Sequence, residues 1–409
     1  MENIIFNLGI IIILGIITIK LFNHFNVPAF LGYLLLGIFL GPFCFDIIDT
    51  AFLGLNQEIS TLAIVILLIR AGLGLNRNAM RKIGRPAVEM SCIPSIVEGL
   101  FIMVVGHYLL GISFLESGML GFILASVSPA VLVPKMLGFI RKGYGVDKGV
   151  PTLLLAGSAA DDVVAITIFS AFLGMYTSGN FNLVGDIFGI PISIILGIVT
   201  GFIAGVLLLF IFKKWELSST EKLLIVLAVG ILLNALGDLL EGIIPVAGLV
   251  GVMVVGFLII DRSPKIGKEL SDKFSHIWFL AEIVLFVLLG AQLQLNIIPN
   301  ILIPGLIIIT LGLLARGVGV YIALAGSDLN NKEKLFCMIS YIPKANAQAT
   351  IGSLPLAAGV ASGELILAIT GIAIIYTAPL GAILIEKTGE KLLSHDEPAE
   401  KENIPQTVH

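Results

Sequence analysis

Charge is scarce in this chain. Lys, Arg, Asp and Glu together make up 13% of its 409 residues, about half the ~25% of an ordinary soluble domain. That shortage excludes a soluble enzyme, a nucleic-acid binder and a disordered chain. Cysteine is scarcer still. Cys44, Cys92 and Cys337 are too few and too scattered for a disulfide framework or a thiolate metal centre, and each reads as a small buried apolar residue. The net charge of −4 decides little, because placement matters more than the sum. The first apolar stretch has no positive region before it and no small-residue cleavage motif after it, so it reads as a retained helix and not a secretory signal.

What the chain has in place of charge is apolar length: 57% of it is hydrophobic. Thirteen apolar runs can be marked off, at about 4–22, 27–41, 58–75, 86–109, 116–138, 150–176, 184–212, 221–237, 243–260, 275–293, 300–325, 333–357 and 361–386. A membrane-spanning helix needs about 20 such residues, so the expected fold is an all-α membrane protein of about 13 transmembrane helices. The 24 basic residues support that count. Twenty lie at the ends that follow odd-numbered runs, among them Arg77, Arg81, Lys82 and Arg85, then Arg262, Lys265, Lys268 and Lys273. None follows an even-numbered run, and the other four, Arg70, Lys135, Arg316 and Lys344, fall inside runs. Basic loops stay in the cytoplasm. The asymmetry therefore predicts an external N-terminus and a cytoplasmic C-terminus. Beyond Lys387 the sequence turns polar and acidic, with Asp396, Glu397, Glu400 and Glu402, and reads as a short disordered tail.

Runs 5 and 12 are unusual. The segments SVSPAVLVPKMLG and SYIPKANAQATIGSLP carry prolines and small polar residues at mid-membrane depth, and each contains an apolar-Pro-Lys step, at Val133-Pro134-Lys135 and Ile342-Pro343-Lys344. They stand seven runs apart, so they cross in opposite directions. This pattern predicts inverted repeats with two discontinuous helices, runs 4–6 mirroring runs 11–13. Irregular backbone survives in a bilayer only against protein or a water-filled cavity.

Ionisable residues at this depth each cost at least about 2.5–3.5 kcal/mol, so each needs a reason. Asp161 and Asp162 sit mid-way along run 6. Two adjacent carboxylates in a low dielectric cannot both ionise cheaply, which makes a proton and a small cation competitors for the same oxygens. Hard cations take carboxylate, carbonyl and hydroxyl oxygens. The backbone freed near Ser128 and Pro129 offers carbonyls, and Ser158 or Thr167 offers hydroxyls. Glu98 in run 4 and Arg316 in run 11 occupy paired repeats and read as a structural ion pair, because a buried arginine stays protonated and favours a carboxylate fork. Two readings stand for Lys344: it fills the gap between half-helix ends, or it neutralises Asp161 or Asp162. Arg70 and Lys135 read as snorkelling to the headgroups. Glu282 has no obvious partner. Asp238 and Glu241 lie at an outer helix end, facing water.

With these residues on the page, the strings LLIRAGLGL, SPAVLVPKMLG, GYGVDKGVPTLLLAGSAADDVVAI and YIPKANAQATIGSLPLA resemble those of the NHA-type sodium/proton antiporters, a branch of the second cation/proton antiporter family that shares the NhaA fold. A prokaryotic relative is implied, in the inner (plasma) membrane. The resemblance implies a homodimer and an elevator-type exchange of Na+ or Li+ for H+, with no cofactor, no nucleic acid and no enzymatic reaction. It implies a dimer domain over 1–82 and 217–298, a core domain over 83–183 and 299–388, a linker helix over 184–216 and a tail over 389–409. The crossed helices are then runs 5 and 12. Asp162 matches the main cation- and proton-binding carboxylate and Asp161 its neighbour. Glu98 and Arg316 match the core ion pair, and Lys344 the lysine of the second broken helix. Many relatives carry lysine where Arg316 stands. A K+/H+ antiporter or a cation channel of the same fold is the alternative. An intramembrane aspartyl protease would need two facing aspartates, and these are adjacent.

Overall fold

The computed structural model describes residues 4–24, 28–74, 85–178, 183–240 and 246–395. The basic cluster Arg77, Arg81 and Lys82, together with Glu241 and the acidic tail, lies outside the described residues. Among the described residues the secondary structure is all helical, apart from one isolated bridge between Tyr144 and His395.

One group of helices packs around a large apolar core: α1 (Ile4–His24), α2 (Ala29–Leu40), the short α3 (Thr50–Leu53) and α4 (Asn56–Gly74). Later in the chain, α9 (Leu183–Lys214), α10 (Ser219–Leu239), α11 (Gly248–Arg262) and α12 (Pro264–Gln292) return to the same group. The other group holds α5 (Arg85–Leu110), α6 (Phe114–Leu124), α7 (Pro129–Lys142), α8 (Val150–Ser178) and α13 (Ile298–Ala323). It is completed by α14 (Asn331–Ser340), α15 (Asn346–Ile351), α16 (Leu354–Ala357) and α17 (Gly363–Leu392). Asn56 Nδ2 of α4 donates to Ser353 Oγ at 2.8 Å, tying one group to the other.

Among the described residues eight helices are long and apolar enough to cross a membrane, and shorter apolar helices accompany them. The exposed residues on many of these helices are large and apolar, as on α9 and α13, which suits a surface covered by lipid and not by water. The protein is a multi-pass membrane protein. One boundary differs from the sequence reading. Run 10 was expected from residue 275, but α12 begins at Pro264. Its first turns, with Lys265, Lys268, Glu269, Asp272 and Lys273, are too charged for an apolar window yet continue the helix unbroken, because helical hydrogen bonds do not stop at the bilayer surface.

Close packing inside the first group depends on glycine. A Cβ at Gly37 would overlap the Val287 carbonyl, and one at Gly290 would overlap the Leu34 carbonyl. The α2 and α12 backbones therefore touch, as small residues permit between helices in lipid. Gly290→Ala is expected to force them apart and lower stability by about 1–3 kcal/mol, the cost of overpacking. Thermal unfolding in detergent measures this. A variant melting like the wild type would mean that the two helices separate without cost.

Candidate functional site

Proline makes the site. Pro129 and Pro343 lack an N–H and push the preceding residue out of helical conformation. Accordingly α6 stops at Leu124 and α7 restarts at Pro129, while α14 stops at Ser340 and α15 restarts at Asn346. The two breaks meet: Ser128 N donates to Pro343 O at 2.7 Å.

A helix end at this depth leaves carbonyls that must find partners. At the first break they do. Gln348 Nε2 donates to Ile123 O at 3.1 Å and to Ser126 O at 2.9 Å. Lys344 Nζ donates to Leu124 O. Arg316 Nη1 donates to Ala125 O, and Ser95 Oγ lies 2.7 Å from the same carbonyl, its single proton shared between it and Asp161 Oδ1. On the donor side, Val127 N donates to Asp161 Oδ2 at 3.0 Å. The second break is pinned by Lys344 N, which donates to Thr377 Oγ1 of α17 at 3.0 Å.

Four buried charges surround these breaks. Arg316 on α13 bridges two carboxylates, reaching Glu98 Oε2 of α5 at 2.8 Å and Asp161 Oδ2 of α8 at 2.6 Å. Lys344 Nζ lies 2.7 Å from the other oxygen, Glu98 Oε1. All four side chains are at most 1% exposed. The Tyr341 ring covers the guanidinium, 5.0 Å from its carbon, a favourable stacking for arginine. Two cations and two anions balance.

Asp162 is the fifth charge, and it is unbalanced. It is 2% exposed. Its contact is the Ser126 hydroxyl, which donates to Oδ1, and among the described residues no Lys or Arg nitrogen comes within ion-pair distance of it. Asp161, one residue earlier, is held by Arg316, Ser95 and the Val127 amide. Neighbours on a helix point about 100° apart, so the two aspartates have different surroundings. The Ser128 hydroxyl is buried in the same break and has no partner among the described residues. Chemically, the cluster offers one carboxylate free to take a proton or a cation, beside a hydroxyl and a backbone with carbonyl lone pairs.

Residues 9–388 match the family described as "Sodium/hydrogen exchanger, transmembrane". This chain belongs to the sodium/hydrogen exchanger family. Human sodium/hydrogen exchanger 9B2 is 32% identical over 361 residues, covering 85% of this chain and 66% of its own. Human sodium/hydrogen exchanger 9B1 is 30% identical over 364 residues, covering 84% and 68%. The chain thus spans about two thirds of the length of these relatives. Among solved structures, the sodium proton antiporter MjNhaP1 of Methanocaldococcus jannaschii superposes with a TM-score of 0.82 at 23% identity, covering 95% of this chain and 98% of that one, which establishes a shared fold.

Within this exchanger fold several sequence-based assignments change. Of the two readings for Lys344, the gap-filling one holds, since its ammonium donates to Leu124 O at the end of α6. Its ion pair is with Glu98 and not with either aspartate, because Arg316 already fills the space beside Asp161. Ser158 donates its hydroxyl to Leu155 O at 3.2 Å, the local back-bonding open to any helical serine, and the hydroxyl bonded to Asp162 is that of Ser126. Lys135 reaches an exposed partner, its ammonium lying 2.5 Å from Glu386 on α17. Arg70 is not free either. Its guanidinium lies over the Trp278 ring at 5.4 Å. Glu282, for which the sequence offers no obvious partner, hydrogen-bonds Trp278 and interacts electrostatically with Arg70.

Ser95, Ser126, Tyr341 and Gln348 were not singled out in the sequence. Signals existed for three of them. Ser95 stands one turn before Glu98 and shares its helix face. Ser126 stands two residues before Ser128 in the broken segment. Gln348 follows Lys344 by four residues.

Proposed function

We propose that this chain is a secondary antiporter exchanging Na+ or Li+ for H+, with Asp162 as the shared site. One observation carries the proposal: a buried carboxylate with no cationic partner stands beside four charges that already balance. A bare carboxylate is costly at this depth, so it holds either a proton or a cation, and only one at a time. Obligatory exchange follows from that exclusion. Ser126, Ser128 and backbone carbonyls of the break complete the cation's oxygen shell, while Asp161, Arg316, Glu98 and Lys344 hold the breaks in register.

The polar groups gather at one depth between apolar stretches. This favours alternating access over a channel, which needs a continuous polar path. The wider reading has thirteen crossings: the eight long spans, the two interrupted helices, and α2, α8 and α11. It includes inverted repeats, an elevator-like movement of the 83–183 and 299–388 segments against the rest, an external N-terminus and a cytoplasmic C-terminus. A homodimer in a prokaryotic inner membrane belongs to the same reading and rests on the resemblance of the motifs alone.

The test is a proteoliposome assay with a pH-sensitive dye. An imposed Na+ or Li+ gradient is expected to drive proton movement in the opposite direction. Cation flux without proton movement would make the protein a channel, and a response to K+ alone would change the substrate. Topology has its own check. A reporter fused after Lys391 is expected in the cytoplasm and one before Glu2 outside, from the one-sided distribution of basic residues. Finding both on one side would overturn the odd number of crossings.

A further inference from the structure

The α9 and α11 helices make their closest approach at glycines. A Cβ at Gly197 would overlap the Ala247 carbonyl, and one at Gly201 the Gly251 carbonyl. Beyond this contact, towards the ends marked by Lys214 and Arg262, the space between them is an open groove of about 870 Å³. Its lower walls are Phe202, Val206, Leu209 and Leu258. Phe202 and Val206 are 47% and 45% exposed, on a helix apolar enough to cross a bilayer. An occupant here meets hydrocarbon and carbon side chains, so its inner part must be apolar.

The mouth of the groove is different. Lys213, Arg262 and Ser263 line it. The Ser263 hydroxyl makes no capping bond although it precedes α12. The Arg262 side chain stays 66% exposed, with Asp261 at 3.8 Å as a loose neighbour. Over 213–216 and 261–268 the cations Lys213, Lys214, Arg262, Lys265 and Lys268 outnumber the acids Glu216 and Asp261. Trp215 is 58% exposed, the position of an aromatic anchor at the headgroup level. From Phe202 to Lys213 a helix rises about 16 Å, roughly half the hydrocarbon thickness. The groove therefore has the depth of one leaflet, with apolar walls inside and positive charge at the interface.

We infer that this groove binds an anionic phospholipid, with an acyl chain along Phe202, Val206, Leu209 and Leu258 and the headgroup phosphate against Lys213, Arg262 and Ser263. Charge complementarity selects the lipid class. A zwitterionic lipid fits the apolar walls equally well, but its own ammonium offsets the phosphate charge and repels the basic cluster, and a soluble phosphate gains nothing from the walls. Basic pockets between transmembrane helices recognise anionic headgroups in this way.

The test uses the full chain in mild detergent, with phosphatidylglycerol, phosphatidylcholine or inorganic phosphate added, read by thermal unfolding and by lipid adducts in native mass spectrometry. Phosphatidylglycerol is expected to raise the melting temperature and persist as an adduct, with phosphatidylcholine giving a smaller shift and phosphate none. The double variant Lys213→Gln/Arg262→Gln is expected to weaken phosphatidylglycerol binding about tenfold or more while leaving the phosphatidylcholine response intact. A second variant, Val206→Trp, fills the apolar wall, keeps both cations and is expected to lose the adduct. Equal stabilisation by the two lipids, or a wild-type phosphatidylglycerol adduct in both variants, would overturn the site. Stabilisation by phosphate alone would reduce it to an ion site without a lipid chain.

Discussion

Asp162→Asn is expected to reduce cation-driven proton flux in liposomes to the background of empty vesicles and to remove cation-induced thermal stabilisation. The substitution keeps the shape and a carbonyl oxygen that can still accept from Ser126. It removes the one charge that a proton or a cation would neutralise. Protonation of Asp162 and cation binding compete for the same oxygens, so in the wild type the apparent cation affinity falls as pH drops and protons occupy the site. In the variant that dependence disappears with the site. Stability separates loss of function from misfolding. An uncompensated carboxylate at this depth is costly, so without cation Asp162→Asn should melt at or above the wild-type temperature. Asp161→Asn should behave in the opposite way. Asp161 balances Arg316, and neutralising it leaves the guanidinium short of a partner, so the cation-free protein is destabilised while exchange persists with altered affinity. Normal exchange by Asp162→Asn would end the assignment. A dead Asp161→Asn beside it would move the site back by one residue.

Much of this site was legible from sequence because bilayers penalise few things so strongly as charge and irregular backbone. The prolines and small polar residues of the two segments announced the breaks, although Pro134, whose Pro-Lys step the sequence matches to Pro343-Lys344, lies inside α7 and Pro129 starts that helix. The rarity of charge made Glu98, Asp161, Asp162, Arg316 and Lys344 conspicuous. The partnerships were less legible. Arg316 has a fork long enough to span two carboxylates, and its occupation of Asp161 displaces Lys344 onto Glu98. That choice depends on helix rotation and depth, which spacing along the chain does not encode. Neutral residues were harder still. Ser126 and Gln348 look like ordinary polar residues until the carbonyls and carboxylate that they serve are brought beside them by the second break. The contact among Arg70, Trp278 and Glu282 joins helices some 200 residues apart in sequence, and no local signal pairs them. The start of α12 was misjudged because an apolar window detects the membrane and not the helix.

Glu98→Gln is expected to be the most destabilising substitution in the cluster, by about 3–5 kcal/mol, the usual effect of removing one member of a buried ion pair. Glu98 is the carboxylate that touches both cations: Arg316 at 2.8 Å and Lys344 at 2.7 Å, on separate oxygens. A glutamine offers one acceptor oxygen and no charge, and its amide nitrogen would face one of the two cations as a donor. Arg316 would keep Asp161, but Lys344 would lose its charged partner and be left with neutral acceptors, the Leu124 carbonyl among them. The loss therefore falls first on the second break, where Lys344 anchors the chain, and the breaks should lose their mutual register. Thermal unfolding of the purified protein measures the cost, and cation-induced stabilisation of the surviving fraction measures the site. The first should fall more than the second, because Asp162 makes no contact with Glu98. A double-mutant cycle tests the partnership: Glu98→Gln/Lys344→Met removes both ends, so it should cost less than the sum of the single substitutions. Strict additivity would mean that the 2.7 Å pair contributes nothing to folding. An unchanged melting temperature for Glu98→Gln with transport abolished would move Glu98 from the scaffold into the coupling chemistry.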